Sequence, residues 1–237
     1  ANWAIKLTDR SVSYRGSTKI SSIQFGSSGQ RHSAGEEAIL QAAIQLFSEY
    51  CFDGVSMRSV AQAAGVSKSN IYHHFQSKEA LYLAIMHDSA RRLSDLVENL
   101  AEGEGRFDQR LRVFAQAHIR HLFDNATTLR LFLREAFSGD EEKGRMLVEQ
   151  VVGGIYQRLI SIFREGQEAG LVRPELDPGL CALLIMGGDL FYFQSYDVLN
   201  LLPQANFARR HEQYSEEMMD IILSGMMVPT GQPGETS

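Results

Sequence analysis

The stretch Ser56–Leu81, "SMRSVAQAAGVSKSNIYHHFQSKEAL", decides how this chain folds. It holds two short helical patterns parted by one glycine, and it carries Arg58, Lys68 and Lys78 with no acid before Glu79, in a chain of formal net charge -6. Ser56 is placed to cap a helix whose inner side is Val60, Ala61 and Ala64, and Gly65 stops it. Ser67 caps a second short helix reaching about Phe75, and Ser77 with Lys78 and Glu79 opens a longer one that can run to about Leu100. Two helical turns, a glycine turn and another short helix form the spacing of a helix-turn-helix, whose second helix enters the DNA major groove. Ala61 and Ala64 let the helices cross closely, Gly65 can take positive φ, and Val66 and Ile71 fill the space between them. Ser67, Lys68, Ser69, Asn70, Tyr72 and His73 then have little core to fill and can offer donors and acceptors to phosphates and base edges.

These residues resemble the signature of the tetracycline-repressor (TetR) family of transcriptional regulators. The shared elements are the Ala-Ala-Gly-Val-Ser turn at 63–67, Tyr72, Phe75 and the Ser-Lys-Glu-x-Leu helix start at 77–81. The preceding "AILQAAIQLFSEYCFDGVS" is similar to that family's first helix, with Phe47 and the aromatic-x-Gly turn at 52–54, so the resemblance spans about residues 36–82. It implies a small N-terminal DNA-binding domain fused to a helical domain that binds a small molecule and forms a dimer. Ser67, Lys68, Ser69, Asn70, Tyr72 and His73 match the recognition helix, and Lys78 matches a lysine that commonly meets a phosphate. A helix N-terminus plus an ammonium attracts a phosphate on physical grounds as well. Ser56 and Arg58, opening the preceding helix, complete the expected DNA-facing set. Each has a plainer alternative: Tyr72 covering the core edge with its ring, Arg58 standing solvated on its helix.

Outward from this segment, 237 residues with 44% hydrophobic content can build a sizeable core. Cys51 and Cys181 stand far apart and suggest neither a disulfide framework nor a thiolate zinc site, which suits a reducing cytoplasm. The most apolar run, "LCALLIMGGDLFYF", is interrupted by Gly187, Gly188 and Asp189, so no membrane span is expected. No signal-peptide pattern is visible in the opening residues. Residues 1–34 are rich in Ser and Gly and carry five basic residues against Asp9; they read as a basic arm touching phosphates, or as disordered or expression-derived sequence. Apolar spacing of three and four marks helices over about 36–50 and again over 107–125, 128–138, 141–169, 177–200 and 206–226, with no strand pattern. The expectation is an all-α fold of about nine helices: a DNA-binding domain at 35–82, a ligand-binding and dimerization domain at 83–228, and a disordered tail at 229–237.

No Gly-rich phosphate loop, G-x-S-x-G or Cys/His pairing is present, so neither catalysis nor a cofactor is expected. His118 and His121 lie one turn apart with Asp124 beyond, but three-residue steps drift about 60° each around a helix, and no metal site is expected. Leu180, Leu183, Leu184, Gly187, Phe191 and Ser195 form one stripe on the helix at 177–200, and Met218, Ile221, Ile222 and Met226 offer another on the last helix. The resemblance implies that these two helices pair with their copies in a homodimer. Asp189, a lone carboxylate in an apolar helix, must either bond a neighbouring helix or face the effector cavity. Phe114, His118, Phe137, Tyr156, Tyr192 and Tyr196 are the further candidates for that cavity wall. The reading is a ligand-released repressor that binds a palindromic double-stranded operator; the alternative is a helical ligand carrier or enzyme in which the helix-turn-helix is only packing.

Overall fold

A computed structural model describes residues 33–139 and 141–228; the tail expected at 229–237 and residues 1–32 of the arm expected at 1–34 lie outside them, while Ser33 and Ala34, counted with that arm, cap and open the first helix. All extended regular structure among the described residues is helical. The first three helices are α1 (Ala34–Gly54), α2 (Met57–Ala63) and α3 (Lys68–His74). They are followed by α4 (Lys78–Glu102), α5 (Phe107–Asp124), α6 (Ala126–Ala136), α7 (Glu141–Leu147), a π turn at Val148–Val152, and α8 (Gly153–Glu168). After a loop come α9 (Pro178–Leu199), a short 3-10 helix (Asn206–Arg209) and α10 (His211–Met226).

The helix starts follow the capping logic of the sequence. Ser56 accepts from the Ser59 amide in a reciprocal capping box, Ser67 from Asn70, and Ser77 from Ala80. Asp177 caps α9 with Pro178 in its first turn. Gly65 ends α2 at φ 67, where a side chain would be strained.

Two expected helices are divided. The pattern at 141–169 is interrupted by the π turn, where a Cβ on Gly153 would stand 2.5 Å from the Val148 carbonyl oxygen, so the wide turn closes against a glycine. The pattern at 206–226 breaks at Arg210, which is extended, and the carbonyl of Ala208 just before it accepts from the Tyr192 hydroxyl.

Two large cores form along α4. The first joins Ile39, Ala43 and Phe47 of α1 with Val60, Ile71, Leu81 and Ile85, and it takes in Leu131 of α6 and Leu147 of α7. The second joins Val97 and Leu100 at the far end of α4 with α5, α8, α9 and α10. Helix α4 thus runs through the expected domain boundary at residue 82 and contributes to both cores. Arg110 of α5 donates to the Leu100 and Ala101 carbonyls at 2.8 and 2.7 Å, closing the end of α4 against its successor.

Candidate nucleic-acid interface and effector site

Helix α3 is anchored by two residues. Ile71 is wholly buried, and Phe75, one turn on, is buried at its C-terminus. Positions 68, 69, 72 and 73 are therefore turned away from the core, and Lys68, Ser69, Asn70, Tyr72 and His73 are exposed. Tyr72 keeps 45% of its surface in water although it is a large aromatic residue. Lys68 Nζ stands 6.0 Å from the centre of its ring, and the Ser67 and Ser69 hydroxyls share a 2.9 Å hydrogen bond. On α2, Ser56 and Arg58 are exposed at the first turn. No acid interrupts this surface between Ser56 and Lys78.

Lys78 has an internal partner that the sequence reading did not foresee. Its Nζ donates to the Phe52 carbonyl at the end of α1 at 2.9 Å and lies 4.2 Å from the centre of the Phe52 ring. One of three donors is thereby committed within the protein.

Of the expected cavity residues, three come together between α5 and α9, and Tyr192, three residues on from Asp189 in α9, packs with Ile119 of α5 in an adjoining cluster. Phe114, His118, Asp189 and Tyr192 are all buried. His118 Nδ1 and Asp189 Oδ2 are 2.7 Å apart, and the Phe114 ring lies parallel to the imidazole at 5.7 Å. Asp189 therefore bonds a neighbouring helix through one oxygen, while its Oδ1 is buried without a hydrogen-bond partner among the described residues. Burial pushes the Asp189 carboxyl above the usual range, and the His118 hydrogen bond opposes that shift. The Tyr192 hydroxyl donates to the Ala208 carbonyl and takes a hydrogen bond from His211 Nδ1 at 2.9 Å; burial first, then Tyr196 and Glu212, push its pKa up to about 12. Tyr196, half-buried, meets Tyr192 edge-on at 5.7 Å.

Two candidates fall elsewhere. Phe137 follows the last residue of α6 and leaves 75% of its surface in water, so it lines no interior wall. The α6 backbone ends there, with the Phe137 amide bonded to Leu133, and the ring projects from the helix end. Tyr156 lies on α8 and donates its hydroxyl to the Gly179 carbonyl at 2.6 Å, which ties α8 to the start of α9 within the second core.

Tyr214 belongs to the buried group but was read only as part of the last helix. It stacks on Tyr192 at 3.8 Å, and its hydroxyl donates to Met218 Sδ. Burial first, then the Asp189 charge, raise its pKa. Phe123 and His211 extend the cluster, stacked at 4.0 Å.

The α9 stripe points outward from the single chain. Leu180, Leu183, Leu184 and Phe191 are exposed, as is Ile221 on α10. A Cβ on Gly188 would meet Met218 Sδ at 2.9 Å, so that glycine serves the packing of α10 on α9; one on Gly187 meets nothing nearer than its own helix's Leu183 at 3.7 Å. Met226 is spent on the chain's own core, with Met218 and Ile222 half-buried. No helix among the described residues is long and apolar enough to cross a membrane.

A three-helix head with a solvent-facing recognition helix, joined through one long helix to a larger helical body, defines the class of helix-turn-helix regulators. Residues 39–85 match the family model described as bacterial regulatory proteins, tetR family, and residues 104–188 match the tetracyclin repressor-like C-terminal domain. Together the two matches take in more than half of the sequence, and the chain belongs to the TetR family. The HTH-type transcriptional regulator RutR of Escherichia coli is 48% identical over 54 residues, 23% of this chain and 26% of RutR's own length. The HTH-type transcriptional repressor AcnR of Corynebacterium glutamicum is 28% identical over 159 residues, covering 55% of this chain and 85% of AcnR. Among solved structures, the TetR family transcriptional regulator PfmR of Thermus thermophilus superposes with a TM-score of 0.60 at 27% identity, covering 79% of this chain and 97% of that one.

Proposed function

We propose that this protein is a DNA-binding transcriptional repressor that works as a homodimer in the cytoplasm and leaves its operator when a small molecule enters the helical body. The observation that carries the reading is α3: a helix pinned by Ile71 and Phe75 that presents Lys68, Ser69, Asn70, Tyr72 and His73 to solvent, within a stretch, 56–78, that holds no acid. A net charge of -6 does not oppose DNA binding, because affinity depends on the charge facing the phosphates. One seven-residue helix reads few base pairs, and two copies about 34 Å apart read a palindrome. The exposed apolar face of α9, with Ile221 of α10, supports that pairing, since such a face is costly in water. The buried group around His118, Asp189, Phe114, Tyr192 and Tyr196 is where an effector is proposed to act.

An effector releases the operator when it binds more tightly to a conformation that fits DNA poorly; equal affinity for both states shifts nothing. The test is a mobility-shift titration against DNA upstream of the protein's own gene over a range of salt. Sequence-preferring binding that weakens as salt rises is expected. Equal affinity for that DNA and for a scrambled duplex at every salt would favour a ligand carrier or an enzyme.

A further inference from the structure

The head and body are joined at a second place besides α4. Arg134 on α6 reaches across to the interior of α1, donating from Nη2 to the Phe47 carbonyl at 2.7 Å and from Nη1 to the Ser48 carbonyl at 3.4 Å. Carbonyls inside a helix already serve its own ladder, so the guanidinium fork takes their second lone pairs. One turn earlier on α6, Leu131 is buried in the core that holds Ile39, Ala43 and Phe47. About one turn further along α1, Lys78 of α4 holds the Phe52 carbonyl, and the rings of Phe47, Phe52 and Tyr82 pack on one another, 5.3–5.7 Å apart. The second half of α1 is thus gripped by a guanidinium from α6 and an ammonium from α4.

The grip leads back to the buried pair. Helix α6 follows α5 with one residue between them, Asn125, whose amide and side-chain Nδ2 both donate to the His121 carbonyl at 3.1 and 2.8 Å. Such a junction leaves little slack, so a displacement of α5, which carries His118, is handed to α6. At the other end, α1 shares its core with Val60 of α2 and Ile71 of α3.

We propose that Arg134 is a positioning residue: it passes movement of α5 through α6 to α1 and so sets the pose of the recognition helix, in parallel with α4. The inference rests on the regulator reading above. It goes beyond that reading in assigning a second route, and a named side chain, to the communication.

The experiment is hydrogen exchange followed by mass spectrometry on the full chain, in the wild type and in Arg134→Met and Arg134→Lys. Arg134→Met is expected to speed exchange over residues 47–54 about tenfold, with α5 and α9 within about twofold of the wild type. Arg134→Lys gives a smaller rise, because an ammonium keeps the charge and loses the fork. The perturbation His118→Phe is then expected to speed exchange in α1 in the wild-type background and to add nothing in Arg134→Met. Unchanged α1 protection in Arg134→Met overturns the proposal. So does faster exchange spread over α5 and α9, or a His118→Phe effect on α1 that is absent in the wild type or equal in both backgrounds. A parallel titration with selected duplex DNA keeps the two readings apart: wild-type protein without sequence preference defeats the regulator reading, while the exchange data still decide the role of Arg134.

Discussion

His118 Nδ1 lies 2.7 Å from Asp189 Oδ2, with both side chains out of water, and this bond joins α5 to α9 through the middle of the body. Burying such groups is costly, and the attraction between them offsets that cost only while both partners are present. The second carboxylate oxygen has no partner among the described residues, so the pair is held with one acceptor unsatisfied. A molecule that donates to that oxygen would supply the missing partner without breaking the pair.

Removing one member should therefore cost more than removing both. His118→Phe is expected to destabilise the fold by about 3 kcal/mol, a fall in Tm of about 10 °C for a chain of this size. His118→Phe combined with Asp189→Leu should recover most of that loss. Thermal unfolding followed by circular dichroism decides: a double variant as unstable as the sum of the single ones would show that the pair is not a mutually compensating unit.

Lys78 is predicted to act chiefly inside the protein. Lys78→Ala removes the hydrogen bond to Phe52 and the contact with its ring, and should lower stability by about 1 kcal/mol without DNA present. The salt slope of DNA binding should fall by less than about one unit per chain. An unchanged Tm with a slope reduced by one unit or more would return the ammonium to a phosphate.

The α9 face is expected to hold two chains together. Wild-type protein at micromolar concentration should scatter light as twice the 26.5 kDa chain mass. Leu184→Glu, which sets a carboxylate in that exposed stripe, should give the single-chain mass with helical content preserved. A wild-type protein of single-chain mass would remove the basis for a two-site operator.

The way these elements could be read in sequence follows from distance along the chain. Caps and turns act within three or four residues, so Ser56, Gly65, Ser67 and Ser77 revealed the helix-turn-helix directly. The α9 stripe was legible because period alone separates its faces. The grip of Arg134 on α1 spans 86 and 87 positions, and the stacking of Tyr214 on Tyr192 needs two helices to meet; neither leaves a local signal. The π turn keeps an apolar pattern running through it, so the break before α8 was invisible. Phe137 was misplaced because an aromatic residue next to a helix end carries no mark of the direction its ring will take.

His121 supplies a pH dependence of known sign. Burial first, then the His118 and Arg92 charges, lower its pKa to about 4, and Asn125 Nδ2 donates to its Nδ1 at 3.2 Å, which requires an unprotonated nitrogen. The unfolded chain takes up this proton first, near pH 6.5, so the contribution is complete above that pH and drains away as pH falls toward 4. The Tm advantage of the wild type over His121→Gln should thus be largest near pH 7.5 and shrink toward pH 4.5. An advantage constant across that range would contradict the assignment.

Repression of a palindromic operator requires that α3 read base sequence from a paired molecule. The decisive measurement is selection of bound duplexes from a random pool by the full chain, followed by titration of the winning sequence and a scrambled one at 0.15 M salt. The prediction is an inverted repeat with half-sites about 34 Å apart, bound by two chains at least about a thousandfold tighter than the scrambled duplex, with Asn70→Ala relaxing the preference within each half-site. A pool that converges on no sequence, or equal affinity for the two duplexes, would contradict it.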